Sequence, residues 1–363
     1  MTRPIRVGII GASPDRGWAA RSHIPAIAAL PQFVLTAVAT TRIETAQAAR
    51  VRFGAKHAFT DARSLVEDPD VELVVVTVKV PAHVELVMTA LQAGRHVYCE
   101  WPLSRTAAEA SALTELARSA GVHAVVGLQA RFGPSVTQAR TLIAQGRIGT
   151  VLSATMYSAR SKGSSRDVPA WTAYTYDHRS RAGLVEVLGG HTLDLLQHLL
   201  GPIRDLTART AIRSPEHRIV ETGEPIMVTS PDHFLATAEL YSGAIASVHL
   251  HDAESVRPRT RIEIAGTDGN IALASAPQTD PWAAQLQIGQ LDLYEAHPDA
   301  AEWSPVAVEG DRADVLPIEA ANVARLYASL ATDIRHDAPH ATPDFETAQQ
   351  LHRLIEQSDR TQH

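Results

Sequence analysis

The side chains that could do chemistry in this chain begin with a glycine-containing turn. The segment Gly11-Ala12-Ser13-Pro14-Asp15-Arg16-Gly17-Trp18 follows an apolar run and precedes a helix-like stretch. A strand, a tight glycine turn and an immediate helix present backbone N–H groups and a positive helix end to a pyrophosphate. Ser13 stands where the dinucleotide fingerprint has its second glycine, and Gly17 comes one residue late. We predict a pyrophosphate site formed by Gly11, Ala12, Ser13, Gly17 and Trp18.

Residues after the second predicted strand are candidates to contact the adenosine ribose of a dinucleotide. The run closes with Thr40-Thr41-Arg42, and no acidic residue appears before Glu44. NAD-binding folds usually place an acid here, whereas hydroxyls with a guanidinium suit a 2′-phosphate. Thr41 and Arg42 therefore favour NADP over NAD. An exposed arginine at a helix start is the alternative reading, so NAD stays open.

Residues after the third predicted strand are expected to line the ligand crevice, because loops at the carboxyl ends of parallel strands do so. These residues are Val78-Lys79-Val80-Pro81-Ala82-His83. We predict that Val78 and His83 lie beside the cofactor. For His83, an ordinary place at the start of a helix is the alternative.

A second group of candidates lies in the middle of the chain. His191, in Gly189-Gly190-His191-Thr192-Leu193-Asp194, could take a hydroxyl proton as a neutral imidazole at pH 7. A buried histidine satisfied by backbone is the alternative. The loop before it carries Tyr174 and Tyr176, which could supply acid–base function or simply be solvated, and Lys162 is a weaker candidate.

The histidine pattern does not predict a metal site. The 17 histidines include one His-x-x-x-His spacing, His336 to His340, which we do not interpret as a metal site, and the single cysteine rules out a Cys-x-x-Cys pair. His249 and His251 have alternate-strand spacing that puts both rings on one face of a strand. A polar outer sheet face explains them better than a zinc site does.

Alternating strands and helices must position the first group of residues. Strands are predicted at 5–10, 34–39, 71–78, 96–100 and 122–128, with helices at 19–27, 44–53, 82–92 and 107–119. This alternation indicates parallel βαβ units with right-handed crossovers and a doubly wound sheet. We predict an α/β fold with an N-terminal Rossmann NAD(P)-binding domain over residues 1–130.

The pattern changes over residues 131–363, where we predict an α+β substrate and dimerisation domain. Helices are predicted at 134–145 and 184–200, and strands at 151–159, 206–212, 234–240, 244–251, 261–264 and 271–274. Strands in succession joined by turn signals indicate a large, open, mostly antiparallel sheet, whose outer face is a candidate dimerisation surface. The helices predicted at 320–333 and 345–357 are candidates to pack back on the first domain.

Composition excludes several classes of protein. Lysine and arginine number 33 against 40 acidic residues, a net charge of −7 without a basic block, which argues against a nucleic-acid partner. No apolar run is long enough to span a membrane, and Met1-Thr2-Arg3-Pro4 leads directly into a strand without a cleavable signal. The single cysteine, Cys99, fits a reducing compartment. We expect a soluble cytoplasmic protein.

Two segments carry a resemblance to a known family. Glu100-Trp101-Pro102 and the His191 segment resemble the Glu-Lys-Pro and Gly-x-His-x-x-Asp motifs of the Gfo/Idh/MocA family, named after glucose–fructose oxidoreductase, inositol dehydrogenase and rhizopine catabolism. The resemblance implies that His191 is catalytic. It also implies a departure, because the family's proton-transferring lysine is Trp101 here and tryptophan cannot perform acid–base catalysis. Val187 stands where the family often has an aspartate.

Six motifs together resemble one subgroup, which includes the fungal galactose-regulon repressor. That protein has the same fold but senses NAD(P) and binds a transcriptional activator instead of catalysing. The resemblance implies dimers or tetramers through the C-terminal sheet. Besides the three segments at Gly11, Glu100 and His191, the motifs are Leu128-Gln129-Ala130-Arg131, Ser230-Pro231-Asp232-His233 and Leu351-His352-Arg353-Leu354-Ile355-Glu356.

The resemblance completes the predicted site and its function. We expect Glu100, Trp101 and Gln129 beside the cofactor, and Trp101, Arg131, Tyr176 and His191 beside the substrate. The leading hypothesis is an NAD(P)-dependent oxidoreductase acting by hydride transfer on a sugar, polyol or similar hydroxyl-bearing molecule. One alternative is a non-catalytic NAD(P)-sensing regulator. Another is an NAD-dependent glycosidase that works by transient oxidation and elimination.

Overall fold

The computed structural model describes residues 3–162, 165–254, 256–276, 283–336 and 341–360. The chain divides into two compact units. Unit 1 consists of Met1–Gln129 and Asp311–His352, and unit 2 of Ala130–Gly310 and Arg353–His363.

Unit 1 contains a six-stranded parallel sheet in the order β3-β2-β1-β4-β5-β6. This is the doubly wound order of a Rossmann fold, and it confirms the predicted fold of the N-terminal region. The order reverses between β1 and β4, so the carboxyl ends of these two strands flank the ligand-binding edge. The strands are β1 Ile5–Ile10, β2 Phe33–Ala39, β3 His57–Phe59, β4 Leu73–Val76, β5 His96–Glu100 and β6 Ala124–Gly127.

Helices of unit 1 end where the sequence supplies a terminator. Gly54 and Gly121, at φ 71° and 63°, end the second and fifth helices in the left-handed conformation that glycine adopts without strain. Thr106 caps the fifth helix by accepting a hydrogen bond from the Glu109 N–H at 3.1 Å. The helices are α1 Ile24–Ala29, preceded by a π-helical turn at Ala19–His23, α2 Ile43–Phe53, α3 Ala62–Glu67, α4 His83–Gln92, α5 Ala107–Ala120 and, late in the chain, α8 Ile318–His336.

Unit 2 is built on an eight-stranded sheet in the order β17-β16-β15-β14-β7-β13-β12-β9. Among the described pairings of this eight-stranded sheet, only that of β7 with β13 is parallel, which confirms the prediction of a mostly antiparallel sheet. The strands are β7 Val151–Ala159, β9 Ile203–Ala211, β12 His233–Leu240, β13 Ile245–His251, β14 Arg259–Gly266, β15 Asn270–Ser275, β16 Leu291–Ala296 and β17 Ser304–Val306.

Further elements complete the chain. A small sheet in the order β11-β10-β8 was not predicted, because its strands are only two to four residues long. No described helix is long and apolar enough to cross a membrane. The remaining elements are α6 Pro134–Ala144, α7 Gly190–Leu200 after a π-helical segment at Val185–Gly189, α9 Phe345–Arg360, β8 Asp167–Val168, β10 Glu216–Ile219 and β11 Pro225–Met227.

The two faces of the large sheet differ in polarity. Along β12 and β13, Phe234 and Leu250 alternate with polar or exposed residues, as expected when one face lies on the core. The opposite side, which we call the open face, is half-buried or exposed. Its β12 and β13 residues are His233, Leu235, Thr237, Glu239, Ile245, Ser247, His249 and His251.

A close backbone approach ends β14. The pairing with β7 shifts register between Ala265 and Gly266. A Cβ at Gly266 would lie 2.0 Å from the Ile148 carbonyl oxygen, a distance at which backbone must move. Only glycine therefore allows this end of the sheet to pack as it does.

Gly266→Ala is expected to lower the free energy of unfolding by about 3 kcal/mol, because the new methyl group overpacks against a backbone oxygen. Urea denaturation of both proteins measures the loss. Gly189→Ala is the matched control, since the nearest atom to a Cβ at Gly189 is 3.8 Å away. Equal losses in the two variants would contradict the packing argument.

Candidate active site

The turn after β1 is shaped by a backbone approach to the end of β4. Gly11 has φ 96°, and its N–H donates to the Ala39 carbonyl at 2.9 Å. A Cβ at Gly11 would lie 2.8 Å from Val78 Cγ1 and 3.0 Å from Thr77 Oγ1. Glycine is therefore required here by conformation and by space. Ala12 beside it is fully buried.

The later part of the turn has a different constraint. Ser13 is half-buried, and its N–H donates to the Gly11 carbonyl at 2.9 Å. Gly17 has φ 105° with no atom within 4 Å of a Cβ position, so it is required by conformation alone. The π-helical turn begins two residues later at Ala19. The described backbone thus makes the tight strand-to-helix connection that dinucleotide sites use.

Two predicted cofactor residues carry buried polar atoms without a hydrogen-bond partner among the described residues. These atoms are Trp18 Nε1 and Gln129 Oε1. Leaving such an atom unpaired costs about 1–3 kcal/mol, so folded proteins seldom do so without a ligand or water. One donor and one acceptor are therefore available to a polar group. Together with the glycine turn, they fit a dinucleotide.

The residues predicted for the adenosine ribose lie at the surface. Thr41 and Arg42 are both exposed, directly after β2. Arg42 is the N-cap residue of α2, and its backbone carbonyl accepts hydrogen bonds from the Thr40 and Thr45 hydroxyls at 3.1 and 2.9 Å. Its guanidinium has no hydrogen bond or ion pair with any described residue. The Arg42 guanidinium is accessible to an anionic ligand. No hydrogen bond among the described residues connects it to the other residues predicted for the cofactor.

His83 has a different environment from the one that sequence suggested. Its ring is fully buried, with Nε2 3.0 Å from the Val78 carbonyl oxygen and Nδ1 2.8 Å from that of Pro102. Burial lowers its pKa. Because both ring nitrogens face backbone, His83 links the loop after β4 to the loop after β5. Its role beside a cofactor stays a prediction.

Glu100 at the end of β5 belongs to a buried polar chain. Its Oε1 lies 2.9 Å from His23 Nε2, and His23 Nδ1 lies 2.8 Å from the Tyr327 hydroxyl. A Cβ at Gly127 would lie 2.8 Å from the same carboxylate oxygen. The carboxylate therefore rests against β6, held by a histidine from the first helical turn and indirectly by α8. Burial first, and the Glu100 charge second, raise the pKa of Tyr327.

Trp101, which stands where the resembled family has lysine, is a buried packing residue. It is 5% exposed, and its ring centre lies 4.7 Å from that of His352. The Ser104 backbone N–H in turn donates a hydrogen bond to His352 Nε2 at 3.4 Å. Two motifs whose contacting residues, Trp101 and His352, are 251 positions apart in sequence therefore meet within unit 1. The Trp101–Pro102 peptide bond is cis.

In unit 2, the predicted substrate residue Arg131 is bound to Asp194. Its Nε lies 3.0 and 2.8 Å from the two carboxylate oxygens, and its Nη2 also donates to Oδ1. The Asp194 side chain is 1% exposed, and burial raises its pKa despite the arginine. This pair fixes α7 to the turn at Gln129–Phe132. The guanidinium of Arg131 is thus largely engaged by protein.

His191 lies on α7, one turn before Asp194. The residue is 4% exposed, and its Nδ1 is buried without a hydrogen-bond partner among the described residues. Burial lowers its pKa to about 3, so the imidazole is neutral at physiological pH. A neutral ring with a free nitrogen can accept or donate one proton, as the sequence argument required.

Tyr176 is also buried, but among other residues. Its hydroxyl donates to the Lys162 carbonyl at 3.3 Å, and Lys162 Nζ lies 4.8 Å from the ring centre. Burial raises the pKa of Tyr176 to about 12. The structure therefore brings Tyr176 together with Lys162, which sequence had ranked as a weaker candidate.

The histidines His249 and His251 lie on the open face, as their spacing indicated. His251 Nε2 is 2.9 Å from the Tyr157 hydroxyl, and its ring stacks on that of His233 with centres 5.6 Å apart. Among the described residues, only His57, Asp68 and Asp70 have a spacing that could hold a metal ion. Arg6 and Lys56 form ion pairs with Asp70 there, so we interpret this group as an ion-pair cluster.

Sequence reasoning missed the partners that fix the site. His23 and His352 are buried within helical segments, and neither has a spacing that indicates its contact with Glu100 or Trp101. The one signal available in the sequence was that His352 lies in the Leu351-His352-Arg353-Leu354-Ile355-Glu356 motif. Contacts between residues so distant in sequence depend on the tertiary fold.

Comparisons with known proteins agree with this class of fold, an NAD-binding Rossmann domain followed by an α+β domain. One family model, "Oxidoreductase family, NAD-binding Rossmann fold", matches residues 5–128, and a second, "Gal80p, C-terminal domain", matches residues 134–275. The two matches confirm the predicted resemblance to the Gfo/Idh/MocA oxidoreductase family in the first region and to Gal80 in the second.

Three curated relatives illustrate the range of the family. Dehydrogenase aclE of Aspergillus oryzae is 33% identical over 244 residues, 64% of this chain and 66% of that protein. The galactose/lactose metabolism regulatory protein GAL80 of Saccharomyces cerevisiae is 29% identical over 311 residues, 80% of this chain and 70% of that protein. Levoglucosan dehydrogenase of Pseudarthrobacter phenanthrenivorans is 26% identical over 289 residues, 74% of this chain and 73% of that protein.

Solved structures show the same two kinds of relative. A super-repressor mutant of Gal80p from Saccharomyces cerevisiae is similar with a TM-score of 0.86 and 26% identity, over 99% of this chain and 96% of that chain. Levoglucosan dehydrogenase in complex with NADH and L-sorbose has a TM-score of 0.82 at 22% identity, over 99% and 97% of the two chains. At that identity the second likeness supports the fold alone.

The environment of His191 makes stability depend on pH. Its folded pKa of about 3 lies below the ordinary value, so the unfolded chain binds more protons as the pH falls through 6.5. Wild-type stability should therefore decrease on acidification. In His191→Gln the free energy of unfolding should change less steeply with pH, by up to about 1.4 kcal/mol per pH unit. Urea denaturation from about pH 7 to about pH 5 measures this slope in both proteins. Equal slopes would contradict a buried, neutral His191.

Proposed function

We propose that this protein is an NAD(P)-dependent oxidoreductase that acts on a sugar, polyol or related hydroxyl-bearing small molecule. The observation that carries the proposal is His191, a buried neutral imidazole with an unpartnered Nδ1 at the position of the family's histidine. Relatives named dehydrogenases, one of them for levoglucosan, support a sugar-like substrate. The chain spans 66% to 73% of the three relatives described above.

The cofactor would be held by the residues predicted for it, and the glycine turn and the unpaired Trp18 Nε1 and Gln129 Oε1 support this. Gly11, Ala12, Ser13 and Gly17 would receive the pyrophosphate, with Trp18 Nε1 as an added donor. Thr41 and Arg42 would contact the adenosine ribose, and their exposure supports our preference for NADP. Glu100 and Trp101 would lie on the nicotinamide side, and Val78, His83 and Gln129 would also contact the cofactor. When bound, the nicotinamide supplies the hydride-transfer chemistry.

His191 would provide the proton transfer that accompanies oxidation of a hydroxyl. Nδ1, when unprotonated, accepts the hydroxyl proton, and in the reverse direction the same atom returns it to a carbonyl oxygen. Burial disfavours the protonated imidazole, so the proton must leave the ring again for turnover to continue. Trp101 has no group that can assist. Activity should consequently show no loss from His191 protonation near its ordinary pKa of 6.5.

A non-catalytic regulator is the second candidate function, and one observation favours it. The Trp101 ring is packed against His352, so the position of the family's lysine has become part of the core. Similarity to GAL80 covers 80% of this chain. In this alternative the cofactor would be bound and sensed without reaction.

A substrate panel separates these candidates. We expect reduced cofactor to accumulate, measured by absorbance, when purified protein is incubated with NAD or NADP and a range of sugars and polyols. His191→Ala should abolish turnover while NADH and NADPH binding, followed by fluorescence, stays within about twofold, because His191 lies outside the glycine turn.

Other outcomes of these assays would favour the regulator or the glycosidase instead. Tight cofactor binding with no reduction across the panel would contradict the oxidoreductase proposal and favour the regulator. Release of an aglycone from glycosides that requires catalytic NAD, without net reduction, would favour the redox-assisted glycosidase. Unchanged turnover in His191→Ala would overturn the catalytic assignment.

We also propose that the protein forms a homo-oligomer, a dimer or tetramer, through the open face of the large sheet. Leu235 and Ile245 are 48% and 53% exposed on adjacent strands of that face. The two residues lie near opposite ends of the β12–β13 pair, with Thr237 and Ser247 between them, and exposed large apolar side chains on one sheet face are typical of surfaces that associate. The surrounding histidines and Tyr157 add polar and aromatic contacts.

The combined substitution Leu235→Asp and Ile245→Asp should convert the oligomer to a monomer, because it would bury like charges against a second copy. Light scattering coupled to size-exclusion chromatography measures the molar mass. Val51→Asp is the control, since Val51 is 73% exposed on α2 of unit 1. A monomeric wild type, or a double variant with unchanged mass, would refute this interface.

A further inference from the structure

His23 is a buried histidine of unit 1 that has no role in the proposed reaction. It ends the π-helical turn Ala19–His23, which begins two residues after Gly17 of the glycine turn. Its side chain is fully buried, and its ring packs edge-on against the rings of Tyr98 and Tyr327, with centres 5.0 and 5.7 Å away. A ring packed against two other aromatic rings in a dense core has little freedom to rotate. The positions of its two nitrogens are therefore fixed.

The hydrogen bonds of His23 determine which of its nitrogens carries the proton. Nδ1 lies 2.8 Å from the Tyr327 hydroxyl, and Nε2 lies 2.9 Å from Glu100 Oε1. Burial first, and the Glu100 charge second, raise the pKa of Tyr327 well above its ordinary value, so the hydroxyl stays protonated. Because a buried hydroxyl proton is seldom left unpaired, Tyr327 donates to Nδ1. The Nε2–H of the neutral ring then donates to the Glu100 carboxylate.

Glu100 lies at the ligand-binding edge of the parallel sheet. It is the last residue of β5, in the half of the sheet formed by β4, β5 and β6. Doubly wound folds bind a dinucleotide across their two halves, outside the carboxyl ends of the strands. The glycine turn follows β1 in the other half, and Thr41 and Arg42 follow β2 there. The half that contains Glu100 is therefore the one available to the nicotinamide riboside.

One oxygen of the Glu100 carboxylate can accept a hydrogen bond from a ligand. His23 occupies Oε1, whereas Oε2 makes no hydrogen bond to any described residue. The Glu100 side chain is 15% exposed, so it is not closed off from the ligand-binding edge. The missing side chain at Gly127 makes room for both oxygens, since a Cβ there would lie 2.8 Å from Oε1 and 3.1 Å from Oε2. His23 and β6 together hold the carboxylate in place.

We propose that His23 is a positioning residue, which holds the Glu100 carboxylate for the nicotinamide riboside of the cofactor. The carboxamide N–H and ribose O–H groups of that riboside are donors, and a carboxylate is a strong acceptor for them. His23 acts through Glu100 and touches no ligand itself, because both of its nitrogens are engaged within a fully buried side chain. The inference rests on the proposed cofactor site, but it concerns binding and not hydride transfer.

The same contact connects the two halves of the cofactor site. His23 belongs to the helical segment that follows the glycine turn, and Glu100 belongs to the other half of the sheet. Tyr327 adds α8 to this connection, and Glu319 of α8 lies 3.6 Å from Arg21 of the same helical turn. A dinucleotide spans both halves, so a site whose halves are already fixed loses less freedom when the ligand binds. The hydrogen bond from His23 to Glu100 supplies that fixed spacing.

Isothermal titration of the full chain with NADH and with ADP tests the proposal. ADP has the adenosine and the pyrophosphate of NADH but lacks the nicotinamide riboside, and NADPH with 2′-phosphorylated ADP is the equivalent pair for a 2′-phosphate site. His23→Phe keeps a buried ring and removes both nitrogens. We expect it to reduce the preference for NADH over ADP about fivefold to tenfold, as the loss of a charge-assisted hydrogen bond predicts. The Kd of ADP should stay within about twofold, because the glycine turn is unchanged.

Three further variants separate positioning from a general loss of structure. His96→Phe is the matched control, because His96 lies at the opposite end of the same strand, where its Nδ1 accepts the His123 N–H at 3.0 Å. It should leave the preference for NADH unchanged. His23→Gln keeps a side-chain N–H donor and should restore the preference to within about threefold of the wild type. Tyr327→Phe removes the donor to Nδ1 alone and should reduce the preference about twofold to threefold.

A double-mutant cycle shows whether His23 acts through Glu100. Glu100→Gln should reduce the preference for NADH, and adding His23→Phe to it should cause no further loss. Losses that add in the double variant, or equal weakening of NADH and ADP in His23→Phe, would overturn the proposal. ADP binding also reports folding.

If His23→Phe does not bind ADP, Tyr327→Phe provides the test, and an unchanged preference for NADH in that variant would overturn the proposal. Failure of the oxidoreductase proposal gives a different result. A protein that shows these binding preferences but reduces no cofactor across the sugar panel would contradict hydride transfer and leave the role of His23 supported.

Discussion

The contact between the Gly11 backbone and the end of β4 is the constraint on which unit 1 depends. The absent side chain lets β1 run on beside Thr77 and Val78, whose strand is its neighbour at the reversal of sheet order. A methyl group there would separate the two strand ends and close the space in which backbone N–H groups are presented. The hydrogen bonds from Gly11 N–H to Ala39 and from Thr77 Oγ1 to the Ile10 carbonyl, at 2.9 and 3.0 Å, hold the same junction.

Seven buried side-chain polar atoms lack a hydrogen-bond partner among the described residues, and three of them bear on ligand binding. These three are Trp18 Nε1, Gln129 Oε1 and His191 Nδ1. Each costs about 1–3 kcal/mol in the absence of a bound group. They belong to residues that the sequence had already suggested for the cofactor or for proton transfer. Gln32, Tyr98, Ser230 and Gln287 also carry such atoms outside the predicted site, so the unpaired atoms and the predicted site coincide at three residues.

Much of the fold followed from periodicity, because β4 is a continuous apolar strand and two helices of unit 1, α2 and α5, end at a glycine. The short edge strand β3 and the helix α3 were missed, since three and six residues give no measurable period. The sequence could predict which residues belong to the candidate site, but not which contacts those residues make. Whether Arg131 is free or bound to Asp194, and whether Trp101 faces a ligand or His352, depends on tertiary contacts that no local pattern records.

The packing of Trp101 on His352 has a consequence for how this chain can evolve. A single change of Trp101 back to lysine would place an ammonium in a slot that is 5% exposed and filled by an aromatic ring. Burying an unpaired charge is far more costly than losing the ring contact. Regaining the family's lysine would need compensating changes on α9, so the replacement is entrenched. Descendants of this chain are more free to change their ligands than to return to lysine chemistry.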